Sequence, residues 1–441
     1  MGIAIKARDF FAIKKADIIL DGITVISGVN GCGKSTLARS TYELLSAAIN
    51  YDDLVANTTK RLLFEMKQSL RSAMTNMSGF AKRSDVSKLQ IVHSGLYFRD
   101  QNNEKYLEFL DSLIQLCYEV QRPLSSAKKR YYDSFCNILC SILKRPYHED
   151  LSAEELLSDF KIKYIEIQKN SDFLKLDRKM TVFQQQWNEL FGQKLNPSLF
   201  NVFENDVPVV DGNRNVVLYP DSIKNIFYVD TPMSLMDANA FVLDDTKKHW
   251  ADLNKVFWGN RKFDEPFNFY PNETGGLLNG NFDWNEDKSS LIYKTSDEGP
   301  VFDVLKRGAT GLKSFVIMQS LYRKGLINQN TLLILDEPEA HLHPQWIVHF
   351  AKFLVMLRKE TQCTFLISSH STDMVSSLKF IAEKELKQKT RYYLADLEDD
   401  KRLLYSFKNL NDDIEPIFEK FNKSFRIMDG YSEENQEIAD L

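Results

Sequence analysis

Apolar and polar positions alternate at the start of the chain and shift to a three-to-four spacing soon after it. Residues 3–7 and 18–20, on either side of Ile13-Lys14-Lys15-Ala16-Asp17, read as a strand pair. Gly22 then turns the chain into a third apolar strand at 23–27. Residues 37–49, 62–77, 106–120, 126–143, 153–166 and 180–191 carry apolar positions at helical spacing, with Pro123 and Pro146 at two of the joins. Strand patterns return at 216–218, 226–229 and 291–293. A helix at 312–322, a strand at 332–335, a helix at 345–357 and strands at 363–367 and 391–394 follow. Strands alternating with helices predict an α/β fold whose mostly parallel sheet is flanked by helices, with an antiparallel strand pair at its N-terminal end. The helical run, taken as residues 51–214, is predicted to be an insertion into a core formed by 1–50 and 215–441. Its segments of about 14–18 residues would each be roughly 20–27 Å long, which suits a compact bundle or a short arm.

Composition narrows the function classes more than the fold. The 441 residues carry a formal net charge of −5, so nothing general draws the chain to nucleic acid, and DNA contact would need a local basic patch. Lys60-Arg61, Lys82-Arg83, Lys128-Lys129-Arg130 and Lys144-Arg145 read first as solvated helix faces. The five cysteines include no C-x-x-C pair, and Cys136 and Cys140 lie where small core residues are expected. There is no signal-peptide pattern and no apolar run near the ~18 residues of a membrane span, so no membrane partner is expected and the cytoplasm is the expected compartment.

The candidate chemistry lies in three segments. The first, Gly28-Val29-Asn30-Gly31-Cys32-Gly33-Lys34-Ser35-Thr36, sits between a strand and a helix, the context of a phosphate-binding loop. Its glycines let backbone N–H groups converge on a triphosphate at a helix N-terminus. Asn30, Gly31, Cys32, Gly33, Lys34, Ser35 and Thr36 are therefore the predicted nucleotide contacts, with Lys34 reaching the β- and γ-phosphates and Ser35 holding Mg²⁺. The second is Leu332-Leu333-Ile334-Leu335-Asp336-Glu337. A buried strand delivers Asp336 to the metal shell at the sheet's C-terminal edge, and Glu337 is placed to orient or deprotonate the attacking water. The third is a strand ending Ser368-Ser369-His370, whose imidazole could sense the γ-phosphate.

Asp336-Glu337-Pro338-Glu339-Ala340-His341-Leu342-His343-Pro344 followed by a Ser-Ser-His strand resembles the ABC-type ATPases related to SMC, RecF and OLD proteins. The resemblance covers residues 1–50 and about 220–400. It implies a P-loop ATPase head that hydrolyses ATP with Mg²⁺ in a head-to-tail dimer, or a higher homo-oligomer, with motion passed through the insertion. It also implies a signature segment acting on the other subunit's nucleotide. The matching stretch holds Ala309, Thr310, Gly311 and Lys313, with Ala309 where a serine is expected, so that Thr310 would supply the hydroxyl. No glutamine-loop residue stands out: Gln184–Gln186 fall in a helix pattern, and Asp230 is an equal candidate. The insertion is too short for an SMC coiled coil, and the chain after His370 lacks a Toprim pattern. What remains is similar to the stand-alone ATPases of phage-defence operons, and its length and N-terminal strands resemble the ATPase component of the PARIS system. That resemblance implies a sensor and scaffold that restrains a separate Toprim-type nuclease until a phage trigger protein is met. A DNA-processing ATPase of SMC/RecF type is the alternative.

Overall fold

The computed structural model describes residues 2–98, 103–120, 122–148, 150–234, 248–259, 281–284, 291–294, 301–304, 308, 310–386 and 390–422. In chain order the described residues form β1 (Ile3–Phe10), β2 (Ile13–Leu20), β3 (Ile23–Ser27), α1 (Lys34–Ile49), α2 (Tyr51–Met77), α3 (Arg83–Phe98), α4 (Asn103–Tyr118), α5 (Ser126–Leu143), α6 (Ala153–Asp177) and α7 (Met180–Phe191). Then come β4 (Phe200–Glu204), β5 (Val207–Pro208), β6 (Val210–Asp211), β7 (Val216–Val217), β8 (Asn225–Val229), α8 (Lys248–Trp258), β9 (Asn281–Trp284), β10 (Leu291–Lys294) and β11 (Val301–Asp303). The last elements are α9 (Thr310–Arg323), β12 (Thr331–Asp336), α10 (Pro344–Thr361), β13 (Thr364–Ser369), α11 (Thr372–Leu386), β14 (Arg391–Asp399), β15 (Leu404–Asn411) and α12 (Glu415–Phe421). The chain divides into two compact units, Met1–Asn50 with Phe183–Leu441, and Tyr51–Val182.

The first unit is built on a ten-stranded sheet of order β5-β4-β1-β2-β15-β14-β3-β13-β12-β8. The block β14-β3-β13-β12-β8 is parallel throughout, whereas β1 pairs antiparallel with both β2 and β4. Residues 183–214, grouped with the insertion by their position in the sequence, belong to this unit because β4 continues the sheet alongside β1. The central strands are buried on both faces. Leu333 and Leu335 of β12 join the core with Phe315 of α9, Phe350 and Leu354 of α10 and Leu378 of α11. Leu332 and Ile334 point to the opposite face and are equally buried. Helix α1 packs on β8, β12 and β13 there.

The second unit, α2 to α6, closes on its own core of Leu70, Met74, Tyr106, Leu113, Phe135, Leu139, Phe160 and neighbours. Cys136 and Cys140 lie in it, and burial pushes the Cys136 thiol up to about 12. Helix α6 starts with a capping box: Ser152 Oγ accepts from Glu155 N–H, and Glu155 Oε2 accepts from Ser152 N–H, both at 3.2 Å. Two helices exceed the lengths read from periodicity. α2 has 27 residues and α6 has 25, spanning roughly 40 and 38 Å. In α2 the polar stretch Asn57-Thr58-Thr59-Lys60-Arg61 interrupts the apolar pattern without containing a helix breaker, so the helix runs on.

Candidate functional site

The chain leaves β3, whose five residues are all buried, and enters the loop 28–33 before α1 begins at Lys34. Gly33 is the N-cap at φ 97°, and a Cβ there would lie 2.7 Å from Ile13 Cγ1, so the position admits only glycine. With no side-chain cap and no acid in its first turn, α1 offers unsatisfied N–H groups and its positive dipole end to an anion. The Lys34 ammonium is buried and donates to the carbonyls of Gly28 (2.9 Å) and Val29 (3.1 Å), curling the loop around itself.

Strand register brings the acidic segment to the same place. β13 lies between β3 and β12, and Asp336 pairs with Ser368. Ser368 Oγ donates to Asp336 Oδ1. Tyr228 Oη donates to Asp336 Oδ2 at 3.0 Å from the strand on the other side. The Ser35 hydroxyl also donates to this carboxylate, which joins the loop to the strand tip. Burial raises the Asp336 pKa, and the three hydroxyl donors oppose that rise without cancelling it.

Glu337 follows in the left-handed region at φ 48°, held there by its N–H, which donates to Ser368 O (2.9 Å) and reaches Ser368 Oγ (3.2 Å). A non-glycine residue in that region costs on the order of 1–2 kcal/mol, which the two contacts offset. Its Oε1 lies 3.2 Å from His370 Nδ1. Glu339 is buried beneath: its Oε1 accepts from Ser369 Oγ (2.7 Å) and His370 N–H (3.1 Å) and lies 3.7 Å from His370 Nδ1. Burial raises the Glu339 pKa, and Oε2 has no hydrogen-bond partner. Ser35, Asp336, Glu337 and His370 are thus gathered at adjacent ends of β3, β12 and β13, with Lys34 beside Ser35.

The other predicted residues fall elsewhere. Thr310 and Gly311 open α9, and a Cβ on Gly311 would lie 2.7 Å from Leu342 Cδ2, so α9 abuts the segment after the acids. Lys313 is buried, and Ala309 lies outside the described residues. Gln184 bonds both ways to the Leu195 backbone and Gln186 to Glu43, so these two tie α7 to its neighbours, whereas Gln185 is exposed and bonds Glu189 within the helix. Asp230 follows β8, with Oδ2 2.9 Å from His249 Nε2 and Oδ1 accepting from Trp250 Nε1 at 2.7 Å. Burial pushes its pKa up, but these two contacts outweigh it and hold the group below its usual range. Tyr228, Ser368 and Glu339 are site residues that sequence reasoning did not single out. Ser368 and Glu339 stood within quoted motifs, whereas Tyr228 carried no signal beyond an aromatic in a strand.

Residues 311–376 match a family model described as "AAA domain, putative AbiEii toxin, Type IV TA system". No curated protein sequence matches the chain. Among solved structures, the chain is similar to the Smc head domain with an extended coiled coil, bound to the C-terminal domain of ScpA, from Pyrococcus furiosus. That match has 11% identity and a TM-score of 0.33 over 98% of this chain and 100% of that one. It is similar to an SmcHead bound to the C-winged helix domain of ScpA, with 10% identity and a TM-score of 0.35 over 93% and 97%. The SMC head domain from Thermotoga maritima matches at 12% identity and a TM-score of 0.27 over 48% and 65%. The strand order sets the loop-bearing β3 next to the strand of the Ser-Ser-His segment and that next to the acidic strand, in an α/β fold whose mixed sheet is flanked by helices. Among the described residues no helix is long and apolar enough to cross a membrane.

Proposed function

We propose that the chain is an ATPase that binds ATP with Mg²⁺ at the loop 28–36 and hydrolyses it when a second copy closes over the site. The observation that carries the reading is the convergence of Ser35, Asp336, Glu337 and His370 from three distant segments of chain. The residues fit the group implied. Ser35 and Asp336 are hard oxygen donors of the kind Mg²⁺ takes, and Lys34 with the bare α1 N-terminus suits the phosphates. Bound Mg²⁺ would neutralise charge on the phosphate oxygens. Asp336 and Ser35 would hold it, and Asn30, Gly31, Cys32, Gly33 and Thr36 would supply the cradle.

Glu337 is the group that orients or deprotonates water. His370 works beside it. The atoms facing His370 Nδ1 are carboxylate oxygens, which accept from that nitrogen, so a bond from Nε2 to a phosphate oxygen requires Nε2 to carry a proton of its own. Glu339, through the His370 N–H and Ser369, fixes where the imidazole starts from. Thr310, Gly311 and Lys313, with Ala309 before them, form the segment that would meet the partner copy's nucleotide. At the level of biology the ATPase acts as sensor and scaffold for a separate nuclease in anti-phage defence. The AAA-domain description of the family model that matches residues 311–376 supports the ATPase part of this reading.

The experiment is phosphate release by the purified chain with Mg²⁺ and ATP, set beside Glu337→Gln, with bound nucleotide and molar mass measured in parallel. The reading expects slow turnover in the wild type, and retained ATP with a doubled mass in the variant. Absence of any ATP binding by the wild-type chain would end it.

A further inference from the structure

We propose that Tyr228 is a positioning residue that aims the Asp336 carboxylate at the metal, and that through it helix α8 is joined to the metal site. The proposal rests on the nucleotide-binding reading above. Side chains alternate along a strand, so in β12 Leu332, Ile334 and Asp336 share the face on which α1 lies, while Leu333 and Leu335 join the core on the other. The register pairs Ile334 with Tyr228 on β8 and Asp336 with Ser368 on β13. Tyr228 and Ser368 therefore stand on the same face as Asp336, one on each side of it. Each supplies a hydroxyl to a different carboxylate oxygen: Ser368 to Oδ1, and Tyr228 to Oδ2 at 3.0 Å. With the Ser35 hydroxyl also on this carboxylate, Tyr228 is the donor on Oδ2, opposite Ser368 on Oδ1, and the opposed pair fixes the plane of the group.

Tyr228 is itself clamped. Its ring lies 4.8 Å from that of His249 and 5.7 Å from that of Tyr42. His249 and Trp250 hold Asp230, and Tyr42 Oη donates to Asp252 Oδ2 at 2.8 Å. His249, Trp250 and Asp252 all belong to α8. A phenylalanine would fill the same space, so the hydroxyl adds one thing here, its bond to Asp336. Partners behind a metal ligand orient it, and their loss typically costs about 10–100-fold in metal affinity.

The test uses the full chain saturated with the non-hydrolysable analogue AMP-PNP and titrated with Mn²⁺, followed by electron paramagnetic resonance. Tyr228→Phe is expected to lower Mn²⁺ affinity about 10–100-fold, with the thermal midpoint and the AMP-PNP affinity measured in EDTA unchanged. Tyr42→Phe, which loses a hydroxyl from the same aromatic cluster but not from the carboxylate, is expected to bind Mn²⁺ as the wild type does. Wild-type Mn²⁺ affinity in Tyr228→Phe would overturn the proposal, and so would an equal loss in Tyr42→Phe. A second measurement does not depend on how the variants fold. A fluorotyrosine placed at 228 should shift its ¹⁹F resonance when Mg²⁺ is added to the AMP-PNP complex, and a resonance indifferent to Mg²⁺ would overturn the proposal. Failure of the wild-type chain to bind AMP-PNP would overturn this proposal together with the reading beneath it, an outcome distinct from those above.

Discussion

His370 Nδ1 lies 3.2 Å from Glu337 Oε1, so the histidine that closes one strand and the acid that closes its neighbour form one unit. A carboxylate held this way is placed to take a proton from water. Glu337→Gln keeps the shape and removes the basicity. Turnover is expected to fall about 10²–10⁴-fold while ATP stays bound, as read by phosphate release and by nucleotide retained after gel filtration. Wild-type turnover in the variant would remove Glu337 from the role given to it.

His370→Ala should separate chemistry from binding. The imidazole lies against Glu337 and Glu339, and among the described residues no hydrogen bond or ion pair is seen from it to the loop 28–36 proposed to hold phosphate. Turnover should drop about 10²-fold, the scale of one lost transition-state donor, with ATP affinity preserved. Steady-state kinetics beside equilibrium binding checks the split, and equal losses in both would contradict it.

Lys34 is buried in its own loop with its charge on two carbonyls. On the proposed reading, Lys34→Ala deletes a charge-assisted contact to phosphate. ATP affinity is expected to weaken about 10–100-fold or more. Isothermal titration measures this directly, and unchanged affinity would place the nucleotide elsewhere.

Lys324 has a structural task. Its ammonium donates to the carbonyls of Val256 (3.3 Å), Phe257 and Gly259 (3.2 Å) at the C-terminal end of α8, where carbonyls lack partners within the helix. Lys324→Met leaves them without this donor. A loss of about 1–3 kcal/mol in unfolding free energy is expected by chemical denaturation.

His93 in the second unit lies beside the rings of Tyr106 and Phe109. Burial first, and the charges of Arg71 and Lys67 second, hold its pKa down at about 4, against 6.5 for the free side chain. Between those values the unfolded chain binds the proton and the folded unit does not. The contribution of His93 to stability is thus complete above pH 6.5 and is lost as pH falls toward 4. Hydrogen exchange of α3 and α4 in the full chain should show opening become easier across that window. In His93→Leu the corresponding part of the pH slope should vanish.

That Gly28–Thr36, the acids at 336 and 337 and the histidine at 370 stand at loop and strand tips was legible because each rests on local order: glycines where backbone must curl, and an apolar run that delivers its last residue to a strand tip. Periodicity likewise marked the central strands and most of the helices of the second unit. Other strands escaped it, β4 and β15 of the large sheet among them. The stability of β4 and β15 comes from pairing with β1, and with β14 and β2, rather than from their own sequence.

Local pattern alone thus marked the segments proposed to carry chemistry and the α/β class of fold that holds them. Tertiary structure decided which residues stand behind that chemistry. Tyr228 and Asp336 are 108 positions apart, and Glu339 meets Ser369 only because β12 and β13 are neighbours. Nothing within a window of sequence encodes such pairings. They follow from strand order and from the alternation of faces in the sheet, and both exist only once the chain has closed on itself.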